Sequence, residues 1–568
     1  MPYSSFNRAH NFSIENNTTI YAENYNHGGN LSLKSAIERL QEHIAAGAMY
    51  NSAERCDAPK CHSETRIAVR EEIVSWILHG DGDAQPTKIL WVTGPAGTGK
   101  TAIMGSIADT CQEDGSLEAC FFFSSFSGSA NRRSKRCVVF TLAYQLIQHG
   151  SLHQVKRQIL AAIERNPAIF EQKLEVQLHQ LILQPLQDCR GSSDISTWPK
   201  VIVIDGLDEC EVEQYHDTSQ TNVPTRSKED DQTEILSILY KAASAQDFPF
   251  RIIIASRPEH IIHSFFTHVA SLATRQQFLD EKYNPEADMS LFLECKFADI
   301  RRRYHLPASW PNKEAIQKLV HNASGQFIHV ATVLRFVEGT PGLPQDLLQQ
   351  VLELPTTTTT NPFAPLDGLY AHILNSSPDP PLVAFWLNLM FRESYLKLLS
   401  SVSIKPPPAI FVQLFLESSQ GQAAYILRNL HSLISVPSRG DYTSPYSLFH
   451  KSLVDFLGDP IRSGPLNVSE MEMFEFLSER YLKLWKNKGP ARELTPVEGE
   501  IFFGNFFLAR PALWSPVFKS QHVQGDVTSC DIAWWIHSFE EARKSRKADP
   551  LNIGVMFFNV HISVRDIV

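Results

Sequence analysis

The stretch KILWVTGPAGTGKTAIMGSIADT, residues 88–110, constrains the fold of this chain more than any other. Ile89–Thr93 is a short, strand-like apolar run, and a helical pattern begins near Lys100. Between them GPAGTGKT, residues 94–101, satisfies G-x-x-x-x-G-K-[ST] in the strand–loop–helix context its mechanism requires. Gly94, Gly97 and Gly99 let the backbone close round phosphate oxygens, with Pro95, Ala96 and Thr98 completing the cradle. The loop's N–H groups converge at a helix N-terminus, where the dipole favours anions. In such a loop Lys100 reaches the β- and γ-phosphates and the Thr101 hydroxyl ligates Mg2+.

Further apolar runs alternate with helical patterns from 70 to about 280: ACFFFS (119–124), KVIVID (200–205), FRIIIAS (250–256) and a weaker RQQFLD (275–280). Strands alternating with helices predict an α/β fold with a doubly wound parallel sheet, covered on both faces. Two insertions interrupt the alternation. Residues 151–190 have a long helical pattern, and the polar segment 211–231 reads as a mobile loop.

The run VIVIDGLDEC, residues 201–210, ends a buried strand in Asp205, Asp208 and Glu209. Carboxylates crowded at a strand end repel unless a cation sits among them. In open sheets of this type ligands gather outside the carboxyl ends of the strands, so Asp205 faces the edge that carries the phosphate loop. There it can hold Mg2+, while Asp208 or Glu209 orients or deprotonates an attacking water. The alternative for Asp208 and Glu209 is a helix N-terminal pair favoured by the dipole alone. Arg257, in IIIASRP at the next carboxyl end, can approach the γ-phosphate edge, or merely cap a helix. The premise is one polyphosphate, clamped by a divalent ion, shared between the lysine-bearing turn and an acid cluster on a neighbouring β-segment.

At 568 residues the chain exceeds one core, which predicts three or four domains. A net charge of −10 argues against a general binder of nucleic acid or anionic membranes. Nine scattered cysteines, no leader-like start and no apolar run near ~18 residues predict a reduced, soluble, cytoplasmic protein. Residues 1–30 read as a polar tail. Leu33, Ile37, Leu40 and Ile44 share one face of a docking helix that ends near Gly47. Helices dominate beyond 285, and LPTTTTTNPF (354–363) reads as a linker. Cys56, Cys61 and His62 lack a second ligand pair at zinc-site spacing, and GLP at 342–344 reads as a turn.

Together GPAGTGKT, VIVIDGLDEC and IIIASRP resemble the NACHT class of STAND P-loop NTPases, nearest to fungal NOD-like proteins with a nephrocystin-type N-terminal NTPase domain. AGAMYNSAERCDAPKCHSETR (46–66), FFFSSFSGSANRRSKRCVVFTLAYQL (121–146), ASGQFIHVATVLRFV (323–337), LDGLYAHIL (366–374) and LFHKSLVDFL (448–457) are similar to further segments of that group. The resemblance implies a tail and docking helix (1–45), an NTPase core (46–284), a helical lid (285–353), a winged-helix-like domain (354–460) and a helical end (461–568). It implies an ATP/ADP switch of NOD-like receptor type with Walker A and B motifs, Mg2+, slow hydrolysis and self-association in the ATP state. His62, Thr65 and Arg66 would touch base or ribose, with simple packing as the alternative, and His450 would lie near the β-phosphate, with a satisfied core histidine as the alternative. The signalling partner is unknown, and neither nucleic acid nor membrane is expected as a partner. A turnover ATPase or GTPase, or a nucleotide-binding scaffold, is the alternative.

Overall fold

A computed structural model describes residues 34–506, apart from 126–128, 191–197, 213–225, 355–360, 362, 393–394, 396–405 and 439, together with residues 531, 534, 535 and 537. Five parallel strands form one sheet: β1 (Ile89–Thr93), β2 (Leu117–Phe122), β3 (Val201–Asp205), β4 (Arg251–Ser256) and β5 (Thr274–Phe278), in the spatial order β2-β3-β4-β1-β5. Their carboxyl ends are level, with Thr93 opposite Ser256, Asp205 opposite Ala255, and Phe122 opposite Asp205. The strand bearing the acids is therefore not the immediate neighbour of the strand that feeds the phosphate loop. β4 lies between them, and it brings Arg257 to the same edge.

Alternation along each strand divides the core. Ile89, Trp91, Ile202, Ile204, Ile252 and Ile254 face the helices Arg136–Gln148, His153–Arg165 and Lys228–Ser244. Leu90, Val92, Phe122, Val203 and Ala255 face the helices Ile67–His79 and Lys100–Glu113. Strands buried on both faces explain why they are runs of β-branched residues rather than alternating patterns. Beyond residue 284 the described chain is helical around a separate apolar core, broken by a small antiparallel pair, β6 (Ile434–Ser435) with β7 (Ser447–Leu448).

Several local expectations shift. The polar segment read as a loop over 211–231 gives way to helix at Lys228, because Ser227 and Asp230 form a capping box. Residues 213–225 lie outside the described residues, as do 1–33 and most of the 354–363 linker. The docking helix is shorter than its spacing suggested, Ala36–Gln41, with Leu40 fully buried and a 3-10 turn at Ala46–Ala48. The turn at GLP leads directly into a helix starting at Pro344, where proline's fixed φ suits the first turn. No described helix is long and apolar enough to cross a membrane.

Candidate functional site

The loop 94–99 leaves β1 and wraps over the N-terminus of the Lys100–Glu113 helix. Gly97 and Gly99 have φ of +81° and +88°, backbone that a side chain would strain. Gly97 has a second constraint: a Cβ there would fall 2.4 Å from Ile328 Cγ2. Ile328 is the second residue of the Phe327–Gly339 helix, and its N–H reaches the Gly97 carbonyl at 3.4 Å. That helix thus rests directly on the phosphate loop.

Lys100 Nζ turns back on its own loop, donating to the Gly94 and Pro95 carbonyls at 2.7 and 2.8 Å. Burial pushes its pKa down to about 8 against the pull of Asp208, Asp205 and Glu209. Asp205 is buried at the end of β3 beside the Thr101 hydroxyl, and its Oδ1 has no partner. Burial raises the Asp205 carboxyl to about 7, opposed by Thr101 and Arg55 and reinforced by Glu209 and Asp208. A buried carboxylate with an orphan oxygen beside the Thr101 hydroxyl offers oxygen ligands of the kind a hard dication such as Mg2+ takes, although no three acids, histidines or cysteines among the described residues form a metal-holding group by themselves.

Gly206, at φ +71°, turns the chain after β3 so that Asp208 and Glu209 lie on a 3-10 turn at the same edge. Asp208 takes the Arg257 N–H at 3.0 Å and the Arg257 Nε at 3.4 Å. Glu209 Oε2 accepts from the Ser125 N–H at 3.0 Å and its hydroxyl at 3.2 Å. Burial and then Asp208 raise the Glu209 pKa. Arg257 Nη1 reaches Asp455 Oδ2 at 2.9 Å, on the helix Ser452–Gly458. Against its burial, Asp455 and Asp208 hold its pKa above the usual range.

His450 lies just before that helix. Its Nδ1 accepts from the Ser452 N–H at 3.1 Å and is 2.7 Å from Ser452 Oγ, which is itself 2.7 Å from the Tyr370 hydroxyl. The neutral ring therefore carries its proton on Nε2. Burial, then Arg257, Lys100, Arg335 and Lys451, push its pKa down to about 3. His450 also lines a small cavity with Ile328, Thr332, Arg335 and Tyr370.

The sheet edge carries a P-loop NTPase fold. A family model described as nephrocystin 3, N-terminal, matches residues 65–257, from the approach segment to the arginine after β4. The chain is similar to a solved structure of the ORC2 protein of Aeropyrum pernix in ADPNP–ADP complexes, at 11% identity and a TM-score of 0.30, over 76% of this chain and 98% of that one. No curated protein matches.

Within this P-loop NTPase fold, residues 94–101, Asp205, Asp208, Glu209, Arg257 and His450 converge on one locality. In the approach segment, Thr65 Oγ1 donates to the His62 carbonyl at 3.0 Å, and the His62 ring packs edge-on to Phe292. Arg66 supports the loop from behind, donating to the Thr98 carbonyl at 3.0 Å and lying 4.8 Å above the Phe327 ring. Sequence reasoning missed Ser125, Asp455, Ile328 and two buried arginines, Arg55 and Arg132. None is singled out, although each falls in a stretch quoted above: Arg55 in 46–66, Ser125 and Arg132 in 121–146, Ile328 in 323–337 and Asp455 in 448–457.

Proposed function

We propose that this chain is a nucleotide-dependent conformational switch of the NACHT/STAND type, closed with ADP and opened by ATP with Mg2+. The observation that carries this reading is the position of Arg257, whose one guanidinium is shared by Asp208 in the acid cluster and Asp455 in the distal helical region. A γ-phosphate arriving at Lys100 competes for the same guanidinium. Charge-assisted contacts are the strong kind, so that competition can loosen the distal helices from the core. Reversing a two-state population from 1:99 to 99:1 takes about 5.5 kcal/mol of differential binding.

The residues divide the work. The loop N–H groups and Lys100 bind the phosphates. Thr101 and Asp205 would hold Mg2+, which when bound neutralises phosphate charge and orients the terminal phosphoryl group. Glu209, already raised in pKa, orients and deprotonates water for slow hydrolysis, with Asp208 fixing Arg257. His450, neutral and with Nε2 able to donate, lies near Lys100 and Arg257 on the distal side of the phosphate region. The helix Phe327–Gly339 acts as the lid, and residues 354–460 as a winged-helix-like unit that closes with it. The open form self-associates, in an intracellular signalling role of NOD-like receptor type.

The test is mass spectrometry of nucleotide co-purifying with wild type and Lys100→Ala, joined to light scattering after exchange into ATP-Mg. Tightly held ADP, lost in the variant, and ATP-driven assembly are expected. Rapid multiple turnover by a monomer would instead select a conventional ATPase or GTPase, and no nucleotide in any form would select a scaffold.

A further inference from the structure

On the same sheet face as Asp205 lies a buried arginine with no task in the account above. Arg55 ends the 3-10 turn Ala53–Arg55, and its guanidinium carbon sits 3.6 Å from the centroid of the Phe122 ring. Phe122 is the register partner of Asp205, and register partners on parallel strands point to the same face. Val203, two residues before Asp205, packs in the same core as Phe122. Arg55 and Asp205 therefore lie on one side of the sheet, one strand apart.

The segment carrying Arg55 is pinned there. The Tyr50 N–H meets Cys120 Sγ on β2 at 3.2 Å, the Cys61 N–H meets Ser106 Oγ at 3.0 Å, and Lys60 pairs with Asp109 at 2.6 Å on the helix that follows the phosphate loop. Yet Arg55 is only 8% exposed, makes no side-chain hydrogen bond or ion pair among the described residues, and has a buried, unpartnered Nε. A guanidinium is not buried without compensation unless negative charge lies close by.

The groups facing Asp205 come from every side: Asp208 and Glu209 from its own strand end, Lys100 and Thr101 from the phosphate-loop helix, Arg132 from the turn after β2, and Arg55. Lys100 is held by two loop carbonyls and Arg257 by Asp208 and Asp455. Arg132 gives Nε to the Phe122 carbonyl at 3.4 Å and approaches Glu54 at 3.9 Å. Of these four cations, Arg55 is the one without an acid or carbonyl of its own among the described residues.

We propose that Arg55 is a resident counter-cation of the acid cluster, which balances Asp205 when no metal is bound and so makes divalent-metal binding at Thr101 and Asp205 conditional on nucleotide. A fixed positive charge near a dication in a poorly screened pocket opposes binding. The acids alone do not overcome it, whereas the acids with a polyphosphate do. Arg55 is thus a positioning residue, and its role rests on the nucleotide reading given above.

Manganese titration of the full chain, followed by the electron paramagnetic resonance signal of the free ion, tests this with and without ADP. Wild type is expected to bind manganese far more weakly without ADP than with it. Arg55→Met should bind it without ADP, its half-saturating concentration falling about threefold or more below that of wild type. Arg55→Lys, which restores the charge, should return to wild-type behaviour. Unchanged or weakened manganese affinity in Arg55→Met overturns the proposal. So does manganese binding by nucleotide-free wild type as tight as that of its ADP complex, which decides the matter even if Arg55→Met fails to fold. If wild type binds no nucleotide at all, the switch reading fails, and the nucleotide-free comparison of wild type with Arg55→Met still judges Arg55.

Discussion

Arg257 Nη1 and Asp455 Oδ2 lie 2.9 Å apart, although 198 positions separate them in the chain. Nε of the same arginine is 3.4 Å from Asp208 Oδ2. One planar group, with donors fixed in a fork, therefore ties the acid cluster to the Ser452–Gly458 helix, and a lysine could not span both acids in that way. Whatever draws the guanidinium toward a phosphate weakens the distal contact by the same movement.

Asp455→Asn keeps the shape of that contact and removes its charge. Both partners are partly exposed, so the loss of stability should be modest, ~1 kcal/mol in urea unfolding. The effect on the switch should be larger: faster ADP release in stopped-flow, and assembly on light scattering at lower ATP than wild type. An ADP off-rate and assembly threshold identical to wild type would show that the ion pair does not bias the closed state.

His450 gives a pH prediction whose sign is fixed by its environment. Its folded pKa, about 3, lies below the ordinary value near 6.5, so between those limits the unfolded chain binds a proton that the folded chain refuses. Stability is unaffected above pH 6.5 and falls as pH drops below it, by up to about 1.4 kcal/mol per unit for one such group. Buried His329, pushed down to about 4, adds a similar slope over a shorter range. His450→Asn keeps an acceptor for the Ser452 N–H but cannot be protonated there. Its acid slope, measured by denaturant unfolding from pH 7 to 5, should be shallower than wild type by His450's share, and parallel slopes would contradict the burial argument.

The phosphate loop and the acid cluster were legible because each is a local pattern, with glycines where φ must be positive and carboxylates where a strand stops. Strands β1 to β4 were legible for a related reason: burial on both faces leaves unbroken apolar runs such as Ile252–Ile254, whereas the edge strand β5, TRQQF, is mostly uncovered and carries only a weak apolar signal. Strand order was not, since nothing in VIVID says that β4 will stand between it and β1. Nor could the partners of the site be read. Ser125, Asp455, Ile328 and Arg55 act through contacts between segments distant in sequence, and a single serine, aspartate or arginine carries no spacing signal. The helix at Lys228 was obscured by composition: Ser227 and Asp230 form a cap inside a stretch whose polarity suggests a loop.

The contact between Gly97 and Ile328 can be tested by a double-mutant cycle. Gly97→Ala places a methyl group 2.4 Å from Ile328 Cγ2 on backbone already at φ +81°, and should cost about 1–3 kcal/mol. Ile328→Ala removes the atom that is struck. The double variant should recover at least ~0.5 kcal/mol relative to the sum of the singles in urea unfolding, leaving the backbone strain behind. Strict additivity would mean that the helix does not rest on the loop in solution.

Glu209 and Ser125 set the hydrolytic step apart from binding. Glu209→Gln removes the base but keeps an oxygen for Ser125 to donate to, so nucleotide should stay bound while single-turnover hydrolysis falls about 100-fold or more. Ser125→Ala withdraws the hydroxyl at 3.2 Å, one of two donors that favour the charged carboxylate, and leaves the backbone N–H in place. Burial and Asp208 already raise the Glu209 pKa, and losing a donor raises it further. The acid limb of the hydrolysis–pH profile should therefore lie above the ordinary carboxylate range in wild type and move to still higher pH in Ser125→Ala. Glu209→Gln should abolish that limb, because the group that titrates is gone. A limb that persists in Glu209→Gln would assign the titration, and with it the base, to another residue; Asp208, held by Arg257, is then the acid to substitute next.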